Sequence, residues 1–366
     1  MKICHLTSVH PRYDGRIFRK QCQSLLAAGY DVSLVVADGK GDELKDGVKI
    51  YDVGKFEGRF NRIQNATSAV GRKAAELNCE IYHFHDPELI FAGLSLKKKG
   101  KKVVFDMHEN VPADIEEKAY IPFFLRKFFS FLYLLLETYV VKRIDAVVST
   151  RESINKRISK YNRKIELITN FPIVDQNVEI VKDKENALGF AGVIIPNWRH
   201  AEIINSLGRI ENVSYSLAGD GNIQYIADLK KLPGWSKVDY LGKIPFESVR
   251  KLYEKTSIGV AIYIYCKNMD GNTGNLANTK LFEYMNWGIP VICTDYTLWK
   301  QIIEDEVNCG ICVNPYDESA IEAAIRFLID NPETAYQMGV NGRKAVLEKY
   351  NWETQAQKLV KLYASL

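Results

Sequence analysis

The sequence predicts an α/β protein built from two doubly wound, Rossmann-like domains facing each other across a cleft. Three observations lead there. Short β-branched runs alternate with amphipathic helical stretches, the order that gives a parallel sheet covered by helices on both faces. The pattern starts afresh after Asn170-Phe171-Pro172. A length of 366 residues suits about two domains.

Residues 2–6 read as a buried first strand, 17–28 as a helix, and 31–36 as a second strand beyond Gly29-Tyr30. Further buried strands are expected at 81–84, 102–106 and 145–149, with helices between them. The charged stretch 181–185 precedes a new first strand at 187–191. Later strands follow at 214–218, 238–241, 258–264, 290–293 and 310–313. The domains are therefore expected at 1–172 and 187–350, with a last helix at 352–366 behind Asn351, a plausible cap.

Composition narrows the class. With 46% hydrophobic and 26% charged residues, the chain can bury a real core. A net charge of +4 without a clustered basic face gives no reason to expect a nucleic-acid partner. The opening strand leaves no charged-then-apolar leader, so a cytoplasmic protein is expected. Seven scattered cysteines read as reduced core thiols, and Cys309-Gly310-Ile311-Cys312 runs into a strand with no second such pair to make a metal knuckle.

Segment 121–141 stands apart, with Phe123, Phe124, Phe128, Phe129 and Phe131 around Arg126 and Lys127. Its longest uncharged run, 128–136, is far below the ~20 residues of a membrane span. Two readings stand: a buried core helix, or an aromatic, basic helix resting peripherally on the inner face of a membrane.

Ligands in such sheets bind beyond the carboxyl ends of strands, and a cleft between two domains is the default site. Asn278 and Thr279 are good cap residues before a helix from Lys280, which Gly288-Ile289-Pro290 should end. A flexible Gly- and Asn-rich loop, 268–275, feeds that helix. Its free N–H groups and the Lys280 charge suit a diphosphate. Glu283, about one turn on, could accept hydrogen bonds from ribose hydroxyls. An ordinary capped helix with a solvated Lys and Glu is the rival reading. Arg199 stands after strand 188–191 at a helix start, and Ala218-Gly219-Asp220-Gly221 is a strand end open to a nucleotide.

In the first half, His10 to Arg16 follows the first strand, with Asp14 and Gly15 before a helix, a placement that suits an anion or sugar site on the acceptor side; a plain capped helix start is the rival reading. His85-Asp86 and His108-Glu109 also end strands. Three polar clusters converging there suit acid–base or hydrogen-bonding work, though spacing alone identifies no nucleophile. His83 lies within its strand and reads as structural. His83 and His85 point the same way but have no further ligands in sequence, so no metal is expected.

The run from Asn278 to Ile292 resembles the signature of family 4 glycosyltransferases, retaining enzymes of the two-domain GT-B fold. Residues 299–303, 309–315, Asn170-Phe171-Pro172 and His85-Asp86-Pro87-Glu88-Leu89 are similar to the same family, in the expected order. The resemblance implies that Glu283 is the second glutamate of an E-x7-E pattern and contacts the donor's ribose. The first glutamate falls at Asn275, where an amide stands instead. It further implies that Arg199 and Lys280 neutralise the leaving diphosphate, that Lys243 and Ile244 lie by the nucleobase, and that His108 is near the reacting sugar. It also implies that the last helix crosses back to complete the first domain. No Asp-x-Asp motif occurs, which points away from metal-dependent GT-A chemistry, and no cofactor is expected. The expected reaction moves a sugar, from UDP by preference, to a lipid-linked or growing surface glycan. An epimerase or hydrolase of nucleotide sugars and a two-lobed sugar-binding protein are the competing readings.

Overall fold

The computed structural model describes residues 1–58, 61–118, 120–182 and 184–366. The described residues form two sheets. The first contains β1 (Lys2–Leu6), β2 (Asp31–Val36), β3 (Glu43–Lys45), β4 (Val48–Asp52), β5 (Ile81–Phe84), β6 (Lys102–Met107), β7 (Ala146–Ser149) and β8 (Ile165–Leu167). Their order is β3-β4-β2-β1-β5-β6-β7-β8, parallel except for the β3–β4 hairpin. The second sheet contains β9 (Ala187–Ala191), β10 (Ser214–Ala218), β11 (Val238–Gly242), β12 (Ile258–Ala261), β13 (Val291–Thr294) and β14 (Gly310–Val313), all parallel in the order β11-β10-β9-β12-β13-β14. In each sheet the strand order reverses beside the first strand, where a doubly wound fold opens its ligand crevice.

Buried runs explain the strands. β5, β7, β9, β12 and β13 are buried along their whole length, as parallel strands covered on both faces must be. Alternate residues of β1 feed opposite layers: Ile3 packs with Ile17, Leu34 and Val104, while Cys4 packs with Val70, Tyr82 and Phe105.

The chain divides into two compact units, Met1–Asn170 with Trp352–Leu366, and Phe171–Asn351. The helix Trp352–Ala364 lays Trp352, Leu359 and Tyr363 onto the Ile3 layer of the first unit.

Three strands go beyond the sequence reading. β3 and β4 turn through Asp46 and Gly47, both at positive φ (46° and 81°), as a two-residue hairpin requires. β8 is a short edge strand beside β7. The expected helix 17–28 divides into a π-helical turn, Ile17–Cys22, and an α-helix, Gln23–Ala27.

Segment 121–141 forms the helix Phe123–Val141, and it is not a buried core helix. Ser130, Glu137, Val140 and Val141 face inward, whereas Phe123 and Phe124 are each 79% exposed and Phe128, Phe131 and Leu135 are also exposed. Among the described residues no helix is long and apolar enough to cross a membrane.

Candidate active site

In the second unit the site grows from the carboxyl end of β9. Gly192 follows it, and a side chain there would stand 3.2 Å from Cε of Lys280, so the absence of one leaves the lysine its place. Lys280 opens a helix, Lys280–Asn286, whose inner face buries Leu281, Phe282, Tyr284 and Met285. This anchoring fixes the outward side of the same turn. Lys280 Nζ donates to Glu283 Oε2 at 2.9 Å, and Tyr253 OH donates to the same oxygen at 3.1 Å. Thr279 Oγ1 donates to Glu283 Oε1 at 2.9 Å.

Burial alone would raise the Glu283 pKa, but the Lys280 charge and these three donors outweigh it and hold the carboxyl below its ordinary value. Glu283 is thus an ionised acceptor with a third of its side chain exposed. The solvated Lys and Glu of the rival reading are instead a hydrogen-bonded ion pair.

Neighbouring expectations change on inspection. Thr279 is not a capping side chain; its backbone is already helical and its hydroxyl serves Glu283. Asn278 supplies the cap-like contact, its Oδ1 accepting the Lys280 N–H at 3.1 Å, so that donor is not left for an anion. The helix is seven residues long, which leaves the Lys280 side chain as the principal cationic feature at this end.

The loop 268–275 is pinned rather than flexible. It is closed by a bridge between Cys266 and Gly271 and by N–H groups of Thr297 and Leu298 on the carbonyls of Asn272 and Thr273. Gly274, at φ 78°, lies where any side chain would strike Tyr296. Asn275 is buried, its Nδ2 donating to the Asn268 carbonyl at 3.1 Å and its Oδ1 accepting the Ala277 N–H at 3.1 Å. Its amide therefore braces the loop, which argues against the donor-sugar contact expected of that position.

Gly219 also has a packing reason: at φ 141°, a side chain would collide with the Gly192 carbonyl. Lys243 is exposed and lies 3.6 Å from Asp220, while the half-buried Ile244 packs against the Phe282 core. Arg199 begins the helix His200–Leu207. Its guanidinium pairs with Glu202, donates to the Pro315 carbonyl and lies over the Tyr316 ring at 4.9 Å.

In the first unit the strand-end clusters converge. His10 Nε2 lies 3.3 Å from Asp86 Oδ1, its Nδ1 lies 3.6 Å from Asp14, and its ring is 5.3 Å from that of His108. Glu109 is exposed beside His108, and both line a small cavity with His85 and Tyr133. Gly15 is exposed with open space around it and no positive φ, so neither packing nor backbone demands glycine there.

Three residues of this group are inward-facing. Arg16 is buried and holds Asp106 with a two-pronged pair at 2.8 and 2.9 Å, which makes it a strut rather than an acceptor contact. Asp86 Oδ2 accepts the Ser8 N–H and the Thr7 hydroxyl, tying down the loop after β1. His85 is fully buried against Asp106 at 3.2 Å.

Asp106 and Tyr253 were not singled out by sequence reasoning. Both act through partners distant in the chain, and neither carries a local motif.

Comparison with known proteins supplies the rest. A Glycosyltransferase Family 4 model matches residues 15–173 and a glycosyl transferase-like model matches 199–361. An uncharacterized glycosyltransferase of Methanocaldococcus jannaschii is 29% identical over 189 residues, 50% of this chain and 46% of that protein. A GalNAc-alpha-(1->4)-GalNAc-alpha-(1->3)-diNAcBac-PP-undecaprenol alpha-1,4-N-acetyl-D-galactosaminyltransferase of Campylobacter jejuni is 24% identical, over 50% of this chain and 49% of its own length. The chain spans about half the length of these curated relatives. Among solved structures, sucrose-phosphate synthase from Thermosynechococcus elongatus superposes with a TM-score of 0.73 at 16% identity, covering 100% of this chain and 98% of that one. HepE of Anabaena, solved with UDP and glucose, gives 0.72 at 12% identity with both chains covered in full.

Proposed function

We propose, because this chain belongs to the glycosyltransferases of the family 4 and group 1 type with the GT-B fold, that it transfers a sugar from UDP to a lipid-linked or growing glycan with retention of configuration. The observation that carries the donor assignment is the ionised Glu283 held beside Lys280 at the end of β9. A carboxylate accepts from both hydroxyls of a ribose, and an adjacent ammonium suits the diphosphate. The UDP and glucose bound in the Anabaena neighbour support the same choice of donor.

In the reaction, the bond from the anomeric carbon to the diphosphate oxygen breaks and its electron pair stays on that oxygen. The acceptor oxygen bonds to the same face, and its proton passes to the departing phosphate. Lys280, with Arg199 as a second cation, would stabilise the charge that develops there. No metal or cofactor is required of this scheme. Lys243 and Ile244 would flank the base. On the acceptor side, His10, His108 and Glu109 present the outward groups, Gly15 leaves open space, and Asp14, Arg16, His85 and Asp86 hold the loops in place. The exposed aromatic face of Phe123–Val141, with Arg126, Lys127, Lys142 and Arg143, suits the surface of an anionic membrane. The undecaprenol named for the Campylobacter relative supports a lipid-linked acceptor.

The test is thermal unfolding with and without UDP. UDP should raise Tm of the wild type, and Lys280→Ala and Glu283→Ala should each abolish the shift while remaining folded. An undiminished shift in both variants would overturn the donor site.

A further inference from the structure

His5 on β1 stands directly opposite His83 on β5, and His85 follows just past the end of β5 with its ring beside theirs. All are fully buried. The His83 and His85 rings stack at 4.6 Å, and His5 lies 4.9 and 5.2 Å from them. One nitrogen from each ring lies within 4.8 Å of those of the other two.

Hydrogen bonding within this trio is incomplete. His85 Nδ1 contacts the Asp106 carboxylate at 3.2 Å, and its Nε2 faces His5 Nδ1 at 2.9 Å. His83 Nδ1 contacts Tyr363 OH at 2.8 Å. The Nε2 atoms of His5 and His83 are buried with no hydrogen-bond partner. A buried nitrogen left without a partner is costly.

We propose that His5, His83 and His85 bind one zinc ion as a structural site within the first sheet. The donors are the facing nitrogens of His5 and His85 and the unpartnered Nε2 of His83. At Zn–N distances of about 2.1 Å two nitrogens of a tetrahedral site lie about 3.4 Å apart, so the first two, now at 2.9 Å, would separate by about half an ångström to share the ion. The Asp106 and Tyr363 contacts on the far nitrogens are the outer hydrogen bonds that orient metal-bound imidazoles. No other Cys, His or carboxylate joins this group among the described residues, so water completes the coordination. The site is closed to solvent and takes no part in sugar transfer; it ties β1 to β5 beneath the acceptor-side loops.

The experiment is metal analysis of the full chain, purified after expression with zinc and dialysed without chelator. About one zinc per chain is expected. His5→Gln and His83→Gln should each lower it more than tenfold, whereas His10→Gln, outside the trio, should keep it. Because the buried variants can fail to fold, the wild type is also loaded with cobalt(II) in place of zinc. An intense visible spectrum of tetrahedral cobalt with imidazole ligands is expected. A negligible zinc content, a spectrum of octahedral cobalt, or undiminished zinc in folded His83→Gln would each overturn the site and leave a buried water as the occupant of the two unpaired nitrogens.

Discussion

At His10, burial and charge pull in opposite directions. Burial lowers the pKa, but the hydrogen bond to Asp14 and the charges of Asp86, Asp14 and Glu109 outweigh it, so the value is raised. For Asp14, burial raises the pKa, while His10 and the N–H groups of Ile17 and Arg16 bring it down to about 2. The sign of each contribution to stability follows. The His10 contribution is complete below the unfolded value of about 6.5 and is lost as pH rises through the raised folded value. The Asp14 contribution is present above about 3.9 and is lost as pH falls toward about 2. Urea midpoints of wild type and His10→Asn should therefore differ most below about pH 6.5 and converge as pH rises through the raised folded value. A difference that is constant across this range would show that His10 contributes packing and no charge.

The helix Phe123–Val141 has two unlike faces. Its inner face is held by Glu137, which pairs with both arms of Arg157 at 2.9 and 3.0 Å, and by Ser130 on the Pro112 carbonyl. Its outer face presents Phe124, Phe128 and Phe131. Replacing these three with serine removes exposed side chains only, so Tm should move by no more than a few degrees. Co-sedimentation with anionic vesicles should fall at least tenfold, because each aromatic withdrawn gives up apolar burial in the interface. Equal sedimentation of the triple variant would sink the membrane reading for this face. The sequence left this segment undecided because its aromatic residues occur on nearly every side of the helix. Only the partners of Glu137 and Ser130 settle which side is inward. The hairpin at 43–52 was more legible than its omission suggests, since Asp46-Gly47 is a strong two-residue turn signal. β8 offered no such signal, being a short edge strand that depends on β7.

Across the whole molecule, legibility follows sequence distance. The two doubly wound sheets could be read because each buried strand carries its own run of apolar residues. Lys280 and Glu283 could be read because a three-residue spacing on one helix brings them together by local geometry. Asn275 was visible as a departure, but its bracing role needed Asn268 and the loop around it. Arg16 looked like an anion contact because its partner, Asp106, lies ninety positions away. The residues proposed to hold the donor, namely Lys280, Glu283, Arg199, Lys243 and Ile244, all belong to Phe171–Asn351, which has its own cores. A ligand that binds the folded form protects the elements it contacts from local opening. UDP should therefore slow amide hydrogen exchange most strongly across 189–192 and 279–286. Exchange in the β3–β4 hairpin of the other unit should stay unchanged, since none of the proposed contacts lie there. Protection confined to Met1–Asn170 would mean that the nucleotide site has been assigned to the wrong unit, whatever the enzyme proves to transfer.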